Sequence, residues 1–106
     1  MATLSEQEFR LEADRALEEA QRALLPLADE EEFEIELQNG VLQLLFEEPP
    51  AAKFVVSPNA PMRQIWVSAN SRSYKLSWTG DGAGFAIDGQ TLPVLLQRLI
   101  GEHLGL

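Results

Sequence analysis

The chain has 106 residues, an apolar fraction of 45% and a formal net charge of −9, which together predict one acidic globular domain. It contains no cysteine, so disulfide bonds, thiolate metal sites and cysteine nucleophiles are excluded. No apolar run approaches the roughly 18 residues of a membrane span, and the acidic start lacks the apolar segment of a signal peptide, so we expect a cytoplasmic protein that makes no membrane contact.

A first helix is predicted over residues 5–25. Ser5 is a suitable N-cap, and Glu8 stands three residues further on, as in a capping box. Pro26 is expected to end the helix, because proline lacks the N–H group that a helix interior uses. Apolar residues recur at helical spacing and predict one buried stripe, formed by Phe9, Ala13, Ala16, Leu17, Ala20, Leu24 and Leu27.

The next part of the chain predicts a meander of strands. From Glu32 the apolar period changes to two, which places glutamates on one face and, on the core side, Phe33, Ile35 and Leu37. Asn39-Gly40 predicts a hairpin turn. The return strand, residues 41–46, would point Leu42, Leu44 and Phe46 inward. Further strands are predicted at residues 53–57, 64–68, 74–78 and 85–87.

A closing helix is predicted over residues 92–104, with Thr91 as its N-cap and Pro93 in its first turn. A glycine-rich turn, TGDGAG at residues 79–84, precedes the last strand. The order of elements is thus helix, adjacent strands, helix. This order predicts an antiparallel sheet in an α+β sandwich.

Enzyme motifs are poorly represented. The glycines of residues 80–84 lead into a strand, whereas a phosphate-binding loop leads into a helix and usually carries a lysine. His103 is the only histidine, and we interpret it as a surface residue in the last turn of a helix. With a single remote histidine no nucleophilic triad can be formed, so we do not expect an enzyme.

Acidic residues are concentrated in the first half of the chain, where residues 1–48 carry a net charge of −11 and residues 49–106 a net charge of +2. A field of this sign repels phosphates, so no nucleic-acid partner is expected. Same-face residues of a strand lie roughly 6.6–7 Å apart, so Glu32, Glu34 and Glu36 cannot easily converge on one ion. Their pattern predicts weak, multi-site binding of hard cations such as ferric iron, manganese, calcium or magnesium, with little selectivity among them. A solvated strand edge that resists aggregation explains the same pattern equally well.

Trp66 is predicted to lie on the uncovered face of the sheet. In its strand Ile65 and Val67 would face the helices, so Trp66 would face the opposite side. The same outer face would carry Gln64, Ser68, Lys75 and Ser77. A tryptophan on a polar, uncovered face is typical of an interaction hot spot. Cover by a loop or a chain terminus is the alternative interpretation.

These segments, in this order, resemble the frataxin family. The matching residues begin with Leu27-Ala28-Asp29, the acids up to Glu36 and Gly40-Val41-Leu42. The most specific match is SPNAPMRQIWVS at residues 57–68, where the positions that fit the family pattern are Pro61, Arg63, Gln64, Ile65 and Trp66. YKLSW at residues 74–78 and LPVLLQRLI at residues 92–100 continue it. The resemblance implies two terminal helices packed on one face of an antiparallel, five- to six-stranded sheet.

The resemblance also implies a function in iron–sulfur cluster assembly. The protein would be a monomer that acts as an iron carrier or as a regulator of a cysteine desulfurase–scaffold complex. Weakly bound iron, ferrous or ferric, would be held by Glu12, Asp14, Glu18, Glu19, Asp29, Glu30, Glu31, Glu32, Glu34 and Glu36. The partner proteins would dock on Asn59, Arg63, Gln64, Trp66, Ser68 and Lys75. The rival hypothesis is an acidic protein-interaction module, such as a small chaperone or adaptor, with no metal role.

Two segments depart from the family pattern. The second half of the first helix is usually acidic, whereas this chain has Gln21, Arg22, Leu25 and Pro26. Ser57-Pro58-Asn59 replaces a family Asn-Lys-Gln, which removes one basic residue and one backbone donor. The acidic surface is therefore expected to be thinner than is usual in the family.

Overall fold

The strands of the sheet follow one another between two helices in the computed structural model, which describes residues 4–47, 50–80 and 84–106. The first helix is α1 (Glu6–Glu31) and the last is α2 (Leu92–Leu104). Between them lie β1 (Glu34–Gln38), β2 (Val41–Phe46), β3 (Ala52–Asn59), β4 (Gln64–Ala69), β5 (Arg72–Trp78), β6 (Phe85–Ile87) and β7 (Gln90–Thr91).

The strands form a single antiparallel sheet in the order β1-β2-β3-β4-β5-β6-β7, so each strand pairs with its neighbours in sequence. The predicted α+β sandwich is confirmed. Its last two strands are only 3 and 2 residues long, and β7 was missed because two residues show no periodicity. β1 is an edge strand, paired on one side with β2.

Both helices pack on the same face of the sheet. The buried stripe of α1 agrees with the prediction and consists of Phe9, Ala13, Leu17, Ala20, Leu24 and Ala28. It meets inward residues of the strands, including Leu44, Ile65 and Leu76, and the leucines of α2. The other side of the sheet is called the open face below. Within the described residues neither helix is long and apolar enough to cross a membrane.

The prediction that α1 ends at Pro26 is wrong, because the helix continues to Glu31 with Pro26 inside it. Pro26 has no N–H to donate to the carbonyl of Arg22, which costs the helix one hydrogen bond. Packing beyond the proline offsets this cost, since Ala28 is buried and Leu27 is partly buried against the core. The predicted strand start at Glu32 is also wrong. Glu32 is the left-handed C-cap of α1 (φ 58°), and β1 begins two residues later.

Replacing Pro26 with alanine is expected to stabilise the protein. Pro26 is exposed, so the change restores a helix hydrogen bond without disturbing the core. The gain is about 2 kcal/mol after the greater freedom of the unfolded chain is subtracted. Urea denaturation would measure it. Pro93→Ala is the matched control, since Pro93 lies at the start of α2, where proline is well tolerated. An equal gain in both variants would contradict this explanation.

The predicted capping box at the start of α1 is confirmed. The backbone N–H of Glu8 donates to Ser5 Oγ over 3.1 Å, and the N–H of Ser5 donates to the Glu8 carboxylate over 3.0 Å. Hydrogen bonding of the Glu8 carboxylate with the backbone N–H of Ser5, and next with its hydroxyl, holds the pKa of Glu8 below its ordinary value. The residue at which α1 begins is therefore fixed by local hydrogen bonds.

An aromatic cluster joins the sheet to both helix ends. The ring of Phe46 lies 4.8 Å from that of Phe33, 4.9 Å from that of Phe54 and 4.8 Å from that of His103, all between centroids. His103 is partly buried, so its predicted position on the surface is only half correct. Its imidazole packs on core phenylalanines because α2 lies directly on the sheet.

The predicted turns agree with the structure where it describes them. Asn39 (φ 53°) and Gly40 (φ 75°) are both left-handed, as a two-residue hairpin turn requires. In the glycine-rich turn, residues 81–83 lie outside the described part of the chain. Thr79 on one side of it donates its backbone N–H to the carbonyl of Gly84 on the other, over 2.9 Å.

Candidate functional site

One row of helix acids faces β1. A helix turns by about 100° per residue, so Asp14, Glu18 and Asp29 share a flank of α1. The position of Asp14 shows that this flank faces β1. Its Oδ1 lies 3.9 Å from the point that a Cβ atom on Gly40, in the β1–β2 turn, would occupy. These three residues are called the β1-side acids. All three are exposed.

A second row lies on the opposite flank of α1. Glu12, Glu19 and Glu30 fall within about 20° of one another around the helix axis, and they are called the α2-side acids. Glu19 lines a groove with Leu92 at the start of α2. Glu12 is paired with Arg15 over 3.6 Å. Six of the ten acids predicted as one metal-binding set therefore divide between two sides of the helix.

Four consecutive acids surround the C-terminal end of α1. Asp29, Glu30 and Glu31 belong to its last turn, which contains no basic residue. Glu32 caps the helix and donates its N–H to the carbonyl of Ala28. Negative charge at this end opposes the helix dipole. A cation or a basic partner at this end would relieve that repulsion.

Glu34 and Glu36 lie on the open face, at the β1 edge of the sheet. Both are exposed, whereas Ile35 and Leu37 between them are partly buried against the core. This alternation confirms the predicted parity of the strand. Among the described residues neither glutamate forms an ion pair, so both charges are available to a ligand.

The acids do not build a closed metal site. In the part of the chain that the structure describes, no three acidic or histidine side chains are placed to hold one metal ion. Carboxylate oxygens suit iron chemically. Their spacing leaves one or two carboxylates for each ion, with water as the remaining ligands. The described residues therefore do not fit a tightly held resident ion.

Trp66 lies on the open face, as its position in the strand predicts. Ile65 and Val67 are completely buried on the core side, whereas the indole is partly exposed. The directly opposite residues are Ser57 on β3 and Lys75 on β5. With Val55 and Ser68 these residues line a shallow groove of about 380 Å³.

Neighbouring side chains hold the indole in place. Trp66 Nε1 donates a hydrogen bond to Gln64 Oε1 over 2.9 Å, and Gln64 Nε2 donates to Ser77 Oγ over 3.3 Å. The Lys75 ammonium lies 4.9 Å from the centre of the indole ring, within cation–π range. An aromatic side chain that is both fixed and accessible loses little conformational entropy when a partner covers it.

Comparison with known proteins identifies the family. A family model described as the frataxin-like domain matches residues 2–106. The chain belongs to the frataxin-like family.

Its relatives include bacterial proteins named iron–sulfur cluster assembly protein CyaY. The one from Janthinobacterium sp. (strain Marseille) is 28% identical over 105 residues, which cover 97% of this chain and 93% of the relative. The one from Cupriavidus taiwanensis is 29% identical and covers 99% of this chain and 95% of the relative. For the Cupriavidus pinatubonensis protein the identity is 31%, with 97% and 93% covered.

Two predicted docking residues of this frataxin-like chain have structural partners in the β3–β4 turn. Asn59 Oδ1 accepts the N–H of Met62 over 3.0 Å. The Arg63 guanidinium donates to the carbonyl of Leu4 over 3.1 Å and also to the carbonyl of Ala60. These bonds place the guanidinium beside the start of α1. A role in docking stays a prediction for both residues.

The frataxin-like open face contains residues that the sequence analysis did not assign. Val55 and Ser57 of β3 and Ser73 of β5 line the groove beside Trp66. The available signal was the alternation along β3, whose parity is set by the buried Phe54 and Val56. Their proximity to Trp66 depends on the register between neighbouring strands. The alternation of side chains along one strand does not reveal that register.

Proposed function

We propose that this frataxin-like protein is an accessory protein of iron–sulfur cluster assembly. It binds a cysteine desulfurase and its scaffold and acts as an iron carrier or as a regulator of their complex. The observation that carries the proposal is the indole of Trp66, held partly exposed on the open face, while a separate acidic region surrounds α1 and the β1 edge. The names of the bacterial relatives support the same pathway.

The two regions suit different partners. The acids at the end of α1 and on β1 complement a basic surface, which we assign to the desulfurase. The Trp66 groove combines an aromatic anchor with small polar neighbours, as in the centre of protein interfaces, and we assign it to the scaffold. The protein itself works as a monomer in the cytoplasm and performs no chemical step.

Iron enters this proposal as cargo. The β1-side acids and the acids of residues 29–36 attract the ion, and each binding position uses one or two carboxylates. Because the field is the sum of many exposed charges, no single substitution abolishes binding. The rival candidate is an acidic interaction module without a metal role. Both candidates are compatible with the lack of a three-ligand cluster among the described residues, and the following experiment separates the two.

Neutralising the two flanks of α1 separately tests the role of iron. The β1-side variant, Asp14→Asn/Glu18→Gln/Asp29→Asn, is expected to lower ferrous affinity about fivefold, since these charges add to those at the β1 edge. The α2-side variant, Glu12→Gln/Glu19→Gln/Glu30→Gln, removes the same amount of charge and is expected to lower the ferrous affinity about twofold. Anaerobic ferrous titration, followed by calorimetry and by broadening of amide NMR signals, measures both.

The titration has two clear alternatives. Equal losses in the two variants would show that only net charge matters. Signals of residues 29–36 that stay sharp throughout the titration, in a protein that still binds the desulfurase and scaffold, would support the interaction module without iron.

A further inference from the structure

The outer edge of β1 offers unused backbone hydrogen-bonding groups. Gln38 lies opposite Val41 across the two-residue hairpin turn, a geometry in which the carbonyl of the first residue accepts the N–H of the fourth. Hydrogen-bonded pairs alternate along an antiparallel ladder, so Glu36 and Glu34 also direct their backbone groups toward β2. Ile35 and Leu37 therefore direct theirs away from the sheet. Within the described residues β1 pairs only with β2, and these outward groups have no backbone partner.

The side chains around this edge differ on the two faces of the sheet. On the open face, Glu34 and Glu36 are exposed and form no ion pair among the described residues. On the helix face, Leu25 belongs to the flank of α1 that faces β1. It shares the flank of Asp14, since eleven residues correspond to about three helical turns, and 47% of its surface is exposed. The edge is thus bordered by acids on one side and by an uncovered leucine on the other.

We propose that the β1 edge binds an extended segment of a partner protein in which basic and apolar residues alternate. The segment adds a strand beside β1 and pairs with the backbone of Ile35 and Leu37. Its basic side chains lie on the open face, opposite Glu34 and Glu36. Its apolar side chains lie on the helix face, beside Leu25.

Charge argues against a second copy of this chain as the occupant. Pairing of two β1 edges would bring Glu34 and Glu36 of each copy next to those of the other, about 4.5–5.5 Å apart, where like charges are destabilising. The net charge of −9 on each chain adds to this repulsion. A basic strand reverses both effects. The inference depends on the edge itself and not on iron binding or on the proposed pathway.

A short synthetic peptide of alternating arginine and valine tests the proposal with the full-length protein. Its binding is expected to slow hydrogen exchange at the amides of Ile35 and Leu37 at least about tenfold, because these N–H groups become paired. Three results would overturn the proposal: unchanged exchange at both amides, equal binding of a peptide with its arginines and valines in separate blocks, or protection of both amides by self-association alone.

Charge variants give a second readout. The double variant Glu34→Gln/Glu36→Gln is expected to bind the alternating peptide with about fivefold lower affinity, because two cross-strand charge pairs are lost. The control Asp88→Asn/Glu102→Gln removes two exposed charges in the β6–β7 turn and on α2, and it is expected to change the affinity less than twofold. An equal effect of the two variants would show nonspecific attraction and would contradict strand addition. Because no iron or assembly protein is present, this result is independent of the proposed function.

Discussion

Truncation of Trp66 to alanine is expected to weaken binding to the desulfurase–scaffold complex about 30-fold or more, equivalent to about 2 kcal/mol, while the fold is retained. The indole is partly exposed and lies outside the buried core, so the cost in unfolding free energy should be about 1 kcal/mol or less. Calorimetric binding to the purified partners and urea denaturation measure the two quantities on the same protein samples.

The neighbouring residue supplies the control for this experiment. Ile65→Ala truncates a completely buried side chain in the same strand and should cost about 2–5 kcal/mol of stability. Trp66→Phe retains an aromatic ring but loses the hydrogen bond to Gln64, so its affinity should lie between those of the wild type and the alanine variant. A large loss of stability in Trp66→Ala, with unchanged partner affinity, would show that the indole is structural.

Phe46→Ala is expected to lower the unfolding free energy by about 3–5 kcal/mol. Phe46 is buried and its ring contacts those of Phe33, Phe54 and His103. The loss is a large part of the roughly 5–15 kcal/mol available to a domain. Because Phe33 connects the end of α1 to β1, hydrogen exchange should accelerate first in residues 33–38. Urea denaturation and amide exchange would test these expectations.

Leu45→Ala is the matched comparison for Phe46. Leu45 is the preceding residue of β2, lies on the open face and is only partly buried, so its truncation should cost about 1 kcal/mol or less. Similar losses in the two variants would contradict the assignment of the core to the helix face. Uniform acceleration of exchange over the whole chain in Phe46→Ala would instead show that residues 33–38 have no separate local stability.

The placement of the functional surfaces follows from how one sheet divides its two faces. The helix face is filled by the core, so the side chains opposite it are free to contact partners. Trp66 is held there by Gln64 and Lys75. β1 carries acids on the same face, and the backbone groups on its outer edge have no backbone partner in the part of the chain that the structure describes. The proposed scaffold at the Trp66 groove and the proposed basic partner at the β1 edge would therefore occupy different parts of one small domain.

The predicted parities of the strands are confirmed because side-chain alternation is a local property. Leu42, Leu44 and Phe46 are buried, and Glu34 and Glu36 are exposed, as expected. Caps and turns were equally readable, because each depends on a few adjacent residues. The end of α1 was misjudged, since the packing of Leu27 and Ala28 beyond Pro26 is not visible in the local pattern.

The amino-acid sequence by itself determined the α+β architecture, the family resemblance and the side of its strand on which Trp66 lies, because periodicity and turn chemistry act over a few residues. Only the tertiary structure decided that the helix acids divide between two flanks, that Val55 and Ser57 join Trp66 in one groove, and that the outer edge of β1 has no strand partner among the described residues. The physical reason is that these relations depend on helix rotation against the sheet and on strand register, which are set by packing between segments distant in the chain.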